Sequence, residues 1–469
     1  MLNIIFDKKT KAEVLLVFEN KLSDEAKLLK KNDLFKGKSG EVYVDLNPKR
    51  EGVIYLGLGN SKKIDNDELR LAGFKLGKAL VANKVKKSQL NFKNVELADK
   101  LIYHLSEGLF TSNYQFDRYK SKKEEKEENY ELSFVGAAKY EALVEEAKVL
   151  IDAVDIAKDF VNTPAIDLYP EVYANQIVKL FKDTNVEVEV FDKTQIEKLG
   201  MKALLAVAAG SDKDPRFVVM KYLPQKDNPN HLTFVGKGLT YDSGGYGIKP
   251  AGSMVTMQCD MGGSAAVVGA LKAINDNKLN VNIVGVTALT ENMISGSAYK
   301  NGDIISSMKG STIEVGHTDA EGRITLADSL YYAATKLNTT KIIEISTLTG
   351  ACVAALGGEI IGAVSNNDKF YKEVHEAGLR AGELNWRFPV TESLKKVVKS
   401  ETADLRNSIR GGAGAITAGI FLEHFVEGKP FVHLDIAGPA FGTARGYYAA
   451  GATAIGLKTL YEFAKISKE

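Results

Sequence analysis

Short apolar runs and amphipathic stretches alternate along residues 1–149. Runs rich in β-branched and aromatic residues, bounded by Gly and Asn, predict strands. Apolar residues repeated at intervals of three and four predict helices. The predicted strands are Ala12–Phe18, Glu41–Leu46 and Gly52–Leu58, and the predicted helices are Asp65–Val85, Leu97–Leu109 and Gly136–Phe160. The pattern therefore indicates a smaller N-terminal α/β domain.

The last of these helices contains the predicted domain boundary. Proline lacks a backbone N–H and disfavours the helical conformation in the residue before it. We therefore expect the helix to end at Asn162-Thr-Pro-Ala. Because a chain of 469 residues is longer than one hydrophobic core usually supports, we predict two domains, residues 1–149 and residues 150–469.

In the second region, β-rich runs alternate with helical ones. The β-rich runs are Glu187–Phe191, Arg216–Tyr222, Leu232–Val235, Asn280–Ala288, Lys341–Ser346 and Phe431–Asp435. A further helix is predicted at Ile416–Val426, after a glycine-rich turn that starts at Arg410. Such alternation is typical of an α/β fold with a mostly parallel, mixed sheet flanked by helices.

Composition narrows the class of protein. The chain is 45% hydrophobic and 26% charged, as in ordinary globular proteins, and its formal net charge is +1. This balance provides no field for attracting nucleic acid or an anionic membrane. Two cysteines are too few for a disulfide framework and suit a reducing compartment. With no signal peptide or apolar run of about 20 residues, we expect a cytoplasmic protein without membrane contact.

The most charged segment is Ser121–Glu131. We interpret it as a solvated loop or hairpin tip, and the alternative is a loop that binds a partner. Lysines of the N-terminal domain are interspersed with acidic residues and form no basic stripe in the sequence. Binding of nucleic acid is therefore not expected.

Acidic and basic residues lie between glycines and apolar residues in two short stretches. The candidate residues are Lys237, Asp242, Lys249 and Asp260 in the first stretch, and Asp319, Glu321 and Arg323 in the second. Burying a carboxylate is costly unless its charge is compensated. Divalent cations provide such compensation, because carboxylate oxygens are ligands that they prefer. The two stretches therefore predict a two-metal hydrolytic centre.

Local patterns suggest how these residues are presented. A strand is predicted over His231–Val235, with Lys237 and Asp242 in the loop after it, and α/β sheets bind ligands at the carboxyl ends of their strands. A plain structural turn is the alternative. A second strand, Ser311–Val315, is expected to continue as an extended segment through Asp319 and Glu321, so that both side chains point to one side. Here the alternative is a surface network of Asp and Arg.

The spacing of these residues, together with Thr318-Asp-Ala-Glu-Gly-Arg323, resembles the leucyl aminopeptidase (cytosol aminopeptidase) family. The resemblance covers essentially all of residues 150–469 and is thin before them, where it is mainly Phe116-Asp-Arg-Tyr-Lys120. Further matching segments are Asn162-Thr-Pro-Ala, Ser346-Thr-Leu-Thr-Gly-Ala-Cys352, Gly414-Ala-Ile-Thr-Ala418 and His433-Leu-Asp-Ile-Ala-Gly438.

The resemblance implies a role for each candidate residue. Asp242 and Glu321 would bridge two divalent ions, Zn²⁺ or Mn²⁺ in the first place and Mg²⁺ or Co²⁺ as alternatives. Lys237 and Asp260 would complete one metal site, and Asp319 would complete the other. The two catalytic residues would be Lys249, which stabilises the oxyanion, and Arg323, which holds a bicarbonate ion as general base.

The resemblance also implies an activity, namely release of N-terminal residues from peptides that have a free α-amine. Met257, Thr347 and Leu348 would line an apolar pocket that prefers Leu- or Met-like side chains. The expected assembly is a homohexamer, with the N-terminal domain serving assembly or regulation. Two alternatives stay open, a dipeptidase for Cys-Gly-like substrates and a same-fold oligomer that binds DNA or regulates.

His317 departs from the family pattern, which usually has Asn at this position. We interpret His317 as a packing residue, and the alternative is a contact that changes metal preference.

Overall fold

The computed structural model describes residues 1–92, 99–121, 128–409 and 411–467. The chain divides into two compact units, Met1–Asp155 with Ala444–Ala449, and Ile156–Thr443 with Ala450–Glu469. Most of the charged segment interpreted as a loop, residues 122–127, lies outside the described residues, and so does Arg410 of the predicted glycine-rich turn. Among the described residues, none of the helices combines the length and the hydrophobicity of a membrane-spanning segment.

The first unit contains a six-stranded sheet in the order β1-β6-β5-β2-β4-β3. Its strands are β1 (Leu2–Phe6), β2 (Ala12–Val17), β3 (Val42–Leu46), β4 (Gly52–Gly57), β5 (Lys87–Asn91) and β6 (Tyr130–Val135), and its helices are α1 (Asp24–Lys31), α2 (Asn66–Ala82) and α3 (Asp99–Thr111). All neighbouring strands are parallel except β3, which is antiparallel to β4. Helices α2 and α3 touch at glycines, because a Cβ on Gly73 would lie 2.1 Å from the Leu105 carbonyl oxygen.

Helix α4 (Glu141–Asn162) follows a short 3₁₀ turn at Ala138–Tyr140. It ends two residues before Pro164, as the proline rule predicts. The division between the two units falls within this helix, after Asp155.

The second unit contains an eight-stranded sheet in the order β15-β14-β17-β13-β9-β10-β8-β7. These strands are β7 (Val186–Phe191), β8 (Arg216–Tyr222), β9 (His231–Asp242), β10 (Ile283–Asn292), β13 (Thr339–Ser346), β14 (Ile361–Ser365), β15 (Asn385–Arg387) and β17 (Phe431–Asp435). The shorter strands are β11 (Ile304–Ser306), β12 (Thr312–Glu314) and β16 (Leu405–Arg406), which form a small sheet, and β18 (Phe441–Gly442) with β19 (Gly451–Ala452).

Helices precede, separate and follow these strands along the chain. They are α5 (Pro170–Phe181), α6 (Lys193–Leu199), α7 (Lys202–Ala208), α8 (Ala251–Met254), α9 (Gly262–Asp276), α10 (Gly322–Thr335), α11 (Gly350–Leu356), α12 (Asp368–Ala381), α13 (Glu392–Val397), α14 (Gly414–Glu423) and α15 (Leu457–Ser467), with a 3₁₀ helix at Met257–Met261 before α9. The four central strands β17, β13, β9 and β10 are mutually parallel, and the flanking strands β14 and β8 are antiparallel to their inner neighbours. The predicted mixed, mostly parallel sheet with flanking helices is confirmed.

The prediction for β9 was wrong in its extent. The strand is 12 residues long, His231–Asp242, and does not end at Val235. Neighbouring backbones leave no room for a side chain at two positions of this strand. A Cβ on Gly236 would lie 2.6 Å from the Gly263 carbonyl oxygen, and one on Gly238 would lie 2.6 Å from the Ala288 carbonyl oxygen. Lys237 is therefore an inward side chain of a central strand, not a loop residue.

Candidate metal centre

The centre lies where the parallel strands β9 and β10 end. Asp242, the last residue of β9, is in register with Asn292, the last residue of β10. The Asn292 Nδ2 donates a hydrogen bond of 2.8 Å to Asp242 Oδ1 and one of 3.1 Å to the Thr318 carbonyl oxygen. The amide thereby links the first acidic stretch to the loop that carries the second.

Lys237 joins both stretches from within β9. Its side chain is 3% exposed, and its Nζ lies 2.6 Å from Asp260 Oδ2 and 2.9 Å from Glu321 Oε1. The same nitrogen donates to the Thr347 carbonyl oxygen at 3.1 Å. Gly322 makes room for this side chain, because a Cβ there would lie 2.4 Å from Lys237 Cε. The glycine after Glu321 is therefore a requirement of the lysine.

Lys249 forms a second bridge between carboxylates. Its Nζ lies 2.7 Å from Asp242 Oδ2 and 2.5 Å from Asp319 Oδ1. The loop between them needs a left-handed residue at Gly244, whose φ is +86° and whose Cβ would lie 2.8 Å from Asp319 Oδ1. Asp242 is buried, whereas Lys249 and Asp319 are partly exposed.

Asp319 and Glu321 reach the centre by a route that differs from the predicted one. The segment is not extended: Thr318 and Asp319 form a turn, and Glu321 already has helical angles of φ −71° and ψ −35° at the start of α10. The turn is closed by a hydrogen bond of 3.2 Å from the Ala320 N–H to the His317 carbonyl oxygen. Oxygen atoms of Asp242, Asp319 and Glu321 nevertheless lie within 4.8 Å of one another.

Burial and repulsion between negative charges raise the pKa of three acids, Glu321, Asp260 and Asp319. Burial first, and then the negative charge of Asp242, raise the pKa of Glu321 well above its ordinary value. Burial likewise raises the pKa of Asp260 and of Asp319. The burial of Lys237 opposes its charge, but the carboxylates of Asp260 and Glu321 outweigh that effect and raise its pKa. The cluster would therefore gain from additional positive charge.

Several buried oxygens are also short of hydrogen bonds. In the described part of the chain, Glu321 Oε2 has no hydrogen-bond partner. Asp260 Oδ2 and Asp319 Oδ1 touch lysine nitrogens, but those contacts lack hydrogen-bond geometry. Buried polar atoms are rarely left unsatisfied in folded proteins. Carboxylate oxygens are ligands that divalent cations prefer, and the converging oxygens of Asp242, Asp319 and Glu321 could hold such an ion.

Arg323 lies at the start of α10, beside this cluster. Its Nη1 donates to the Asn407 carbonyl oxygen at 2.7 Å, while its Nε has no hydrogen-bond partner among the described residues. Burial lowers the pKa of Arg323 to about 10, so the guanidinium stays charged at neutral pH. A buried, charged N–H without a partner at a helix N-terminus can bind a small anion.

The three predicted pocket residues have different surroundings. Thr347 is buried, and its hydroxyl donates to Asp260 Oδ1 at 2.7 Å, so it also orients a candidate metal ligand. Leu348 is partly buried and packs on the core, with its N–H donating to Asp435 Oδ1 at 3.2 Å. Met257 is partly exposed at the start of the 3₁₀ helix that contains Asp260.

Supporting residues were missed by the sequence reasoning. Asn407 Oδ1 accepts the Gly316 N–H at 2.7 Å, and its Nδ2 donates to the His317 carbonyl oxygen at 2.8 Å, so Asn407 holds the loop before Asp319. Nothing in the spacing of the sequence marks Asn407. Asn292 could have been found, because it ends a strand beside β9, and carboxyl ends of parallel strands share one edge.

His317 packs against the same loop. It is exposed, and its Nδ1 accepts the Asp319 N–H at 3.1 Å. A Cβ on Gly247 would lie 2.4 Å from His317 Cε1, so the imidazole covers that glycine.

Comparisons with known proteins agree with one another. The model of the cytosol aminopeptidase family catalytic domain matches residues 155–461, and that of its N-terminal domain matches residues 4–123. Probable cytosol aminopeptidases of Clostridium tetani and Treponema denticola are each 44% identical over 471 residues, which cover 98% of this chain and 98% of each relative. A solved structure described as the bottromycin maturation enzyme BotP in complex with Mn is 29% identical, with a TM-score of 0.89 over 98% of this chain and 100% of its own.

Proposed function

Since the chain belongs to the cytosol aminopeptidase family and is thus a peptidase, we propose that it is a metal-dependent aminopeptidase. It releases N-terminal residues from peptides whose α-amine is free. The observation that carries this proposal is the cluster of three buried acids, Asp242, Asp260 and Glu321, with the partly exposed Asp319, in which some oxygens lack hydrogen-bond partners among the described residues. The family match independently supports a peptidase.

The proposed cofactor is a pair of divalent ions, Zn²⁺ or Mn²⁺ in the first place. Asp242 and Glu321 would contact both ions, Lys237 and Asp260 would hold one, and Asp319 would hold the other. When bound, such ions lower the pKa of water and polarise a carbonyl group. The manganese named for the BotP structure supports Mn²⁺. Lys237 must lose its proton to become a ligand, and metal binding is therefore expected to weaken as pH falls.

Two side chains serve the peptide directly in this proposal. Lys249 stays protonated, because the charges of Asp242 and Glu321 outweigh its burial and raise its pKa. Its ammonium group can stabilise the negative oxygen that develops when the peptide carbonyl is attacked. Arg323, whose Nε has no hydrogen-bond partner among the described residues, would hold a bicarbonate ion, and that ion would supply a general base beside the metal ligands.

Substrate preference is proposed from the residues beside the centre. Met257 and Leu348 are apolar and partly exposed, so they can contact an apolar first side chain of Leu or Met type. Thr347, whose hydroxyl donates a hydrogen bond to Asp260, would form the wall between this pocket and the metal ligands. The proposed assembly is a homohexamer, supported by the family match alone.

The deciding experiment is hydrolysis of leucine p-nitroanilide by chelator-treated protein, with Mn²⁺ or Zn²⁺ added back. Parallel reactions contain the N-acetylated substrate and the dipeptide Cys-Gly. We expect metal-restored cleavage of leucine p-nitroanilide and no cleavage of its N-acetylated form. Cleavage of the acetylated substrate would contradict the aminopeptidase proposal, and cleavage of Cys-Gly alone would replace it with a dipeptidase. Circular dichroism confirms folding in each sample.

A further inference from the structure

A basic cleft lies at the end of the six-stranded sheet of the first unit where strands β2, β4 and β5 begin. Its walls come from three segments, namely the β1–β2 loop, the β3–β4 loop and the junction of α2 with β5. Because β5, β2 and β4 are adjacent and parallel, their first residues share one edge, and the segments before them converge. The cleft has a volume of about 470 Å³.

Positive charge dominates the lining of this basic cleft. It contains eight lysine and arginine side chains and one acid, Glu51, among the described lining residues. Three of the lysines have glutamate partners, at distances of 2.7 Å, 3.0 Å and 3.3 Å. The other five cations form no ion pair with any residue that the structure describes, and all five are exposed. They are Lys9, Lys49, Arg50, Lys84 and Lys87.

Two of these cations occupy left-handed backbone positions. The φ of Arg50 is +62° and that of Lys84 is +54°. Glycine adopts this conformation most readily, since in other residues the Cβ crowds the following carbonyl group. Both turns therefore carry a long cationic side chain where the backbone itself would favour a small residue. The like charges also repel one another, so a bound polyanion would stabilise the unit.

The shape and chemistry of the lining restrict the ligand. No aromatic side chain lines the basic cleft within the described residues, so nucleobases have no surface for stacking. Its apolar lining residues, Ala12 and Val85, are buried and cannot enter a bilayer. A cleft of a few hundred Å³ accommodates a compact chain of anions and is too small for a duplex. The guanidinium of Arg50 matches phosphate oxygens in pairs, and the lysines supply further point charges.

We propose that the basic cleft binds a short chain of phosphates. Two sources share this chemistry, a nucleoside polyphosphate and inorganic polyphosphate. Binding would be strongest at low ionic strength, because exposed charges are screened by salt. This site is independent of the aminopeptidase proposal, since it involves only the first unit.

The test is isothermal titration of full-length, metal-loaded protein with tripolyphosphate at low ionic strength. The cleft variant combines Lys9→Gln, Lys49→Gln and Lys87→Gln. The matched control combines Lys30→Gln, Lys31→Gln and Lys62→Gln, which removes the same charge from exposed positions of the same unit outside the lining. We expect the dissociation constant to rise about tenfold or more in the cleft variant, and less than about twofold in the control.

Further ligands identify the source and test the limits of the proposal. Tighter binding of ATP than of tripolyphosphate would favour a nucleoside polyphosphate. Much tighter binding of long-chain polyphosphate would favour the inorganic polymer. Any contribution of the metal centre is common to all three proteins, so only their difference counts. Equal losses in both variants, absence of oligophosphate binding, or binding of duplex DNA alone would overturn the proposal.

Discussion

The metal centre and the basic cleft both gather charged side chains, but they differ in burial and in charge balance. In the centre, carboxylates alternate with the ammonium groups of Lys237 and Lys249 at 2.5–2.9 Å. In the cleft, eight cations face solvent, and five of them form no ion pair with described residues. Water solvates and screens like charges at a surface, whereas a buried charge needs an oppositely charged or hydrogen-bonding partner. The centre is therefore sensitive to each of its atoms, and the cleft to its total charge.

Removing one buried acid should have the largest effect. We expect Asp260→Ala to lower aminopeptidase activity by about 10³-fold or more, since loss of even one stabilising group in an active site costs about 10²–10³-fold. Asp276→Ala is the matched control, because this partly exposed acid pairs with Lys272 outside the centre. Activity assays with metal titration on both variants decide the outcome. An active Asp260→Ala enzyme would show that the ligand assignment is wrong.

Steric change beside a ligand should have the next largest effect. The new methyl group of Gly322→Ala would overlap Lys237, so we expect metal affinity to fall by about 10- to 100-fold. Gly350→Ala provides the comparison, because Gly350 also begins a helix and a Cβ there meets no atom within 4 Å. Calorimetric metal titration measures both. Equal affinities for the two variants would mean that Lys237 can move aside at no cost.

Protonation of the buried histidine His231 should destabilise the folded protein. Burial lowers the pKa of His231 from 6.5 to about 4. Between these values the unfolded chain binds more protons than the folded one, so the free energy of unfolding should decrease as pH falls from 6.5 to 4. Allowing for partial solvent access, the loss is about 2 kcal/mol. Urea denaturation across this range, compared with His231→Leu, should show a shallower pH dependence in the variant. A parallel dependence would remove His231 as its source.

An exposed neighbour of the centre should have the smallest effect. His317→Asn keeps an acceptor near the Asp319 N–H, so we expect metal affinity to change by less than about threefold. Competition between Zn²⁺ and Mn²⁺ distinguishes the two interpretations of this residue. Unchanged relative affinity agrees with a packing role, and a reversed preference would mean that the imidazole selects the metal.

Local sequence patterns predicted many elements within a few residues, including β8 and β17 to the residue. Strands β1, β5 and β6 were missed. In β5, Lys-Ser-Gln-Leu-Asn has little hydrophobic character of its own, and the strand is stabilised by pairing with β2 and β6. The predicted end of β9 was wrong because Gly236 and Gly238 were interpreted as turn residues. Both lie within the strand, where helix and strand backbones approach so closely that only glycine fits.

The sequence by itself determined the family, the alternation of strands and helices, and the set of acids and lysines that form the candidate centre. Spacing and residue type carry that information, because a metal ligand must have suitable donor chemistry wherever the chain folds. The tertiary structure alone decided that Asn407 supports the loop before Asp319, and how the turn at Asp319 presents its carboxylate. It also gathered lysines separated by long stretches of chain into one basic cleft, because parallel strands bring distant segments to a common edge.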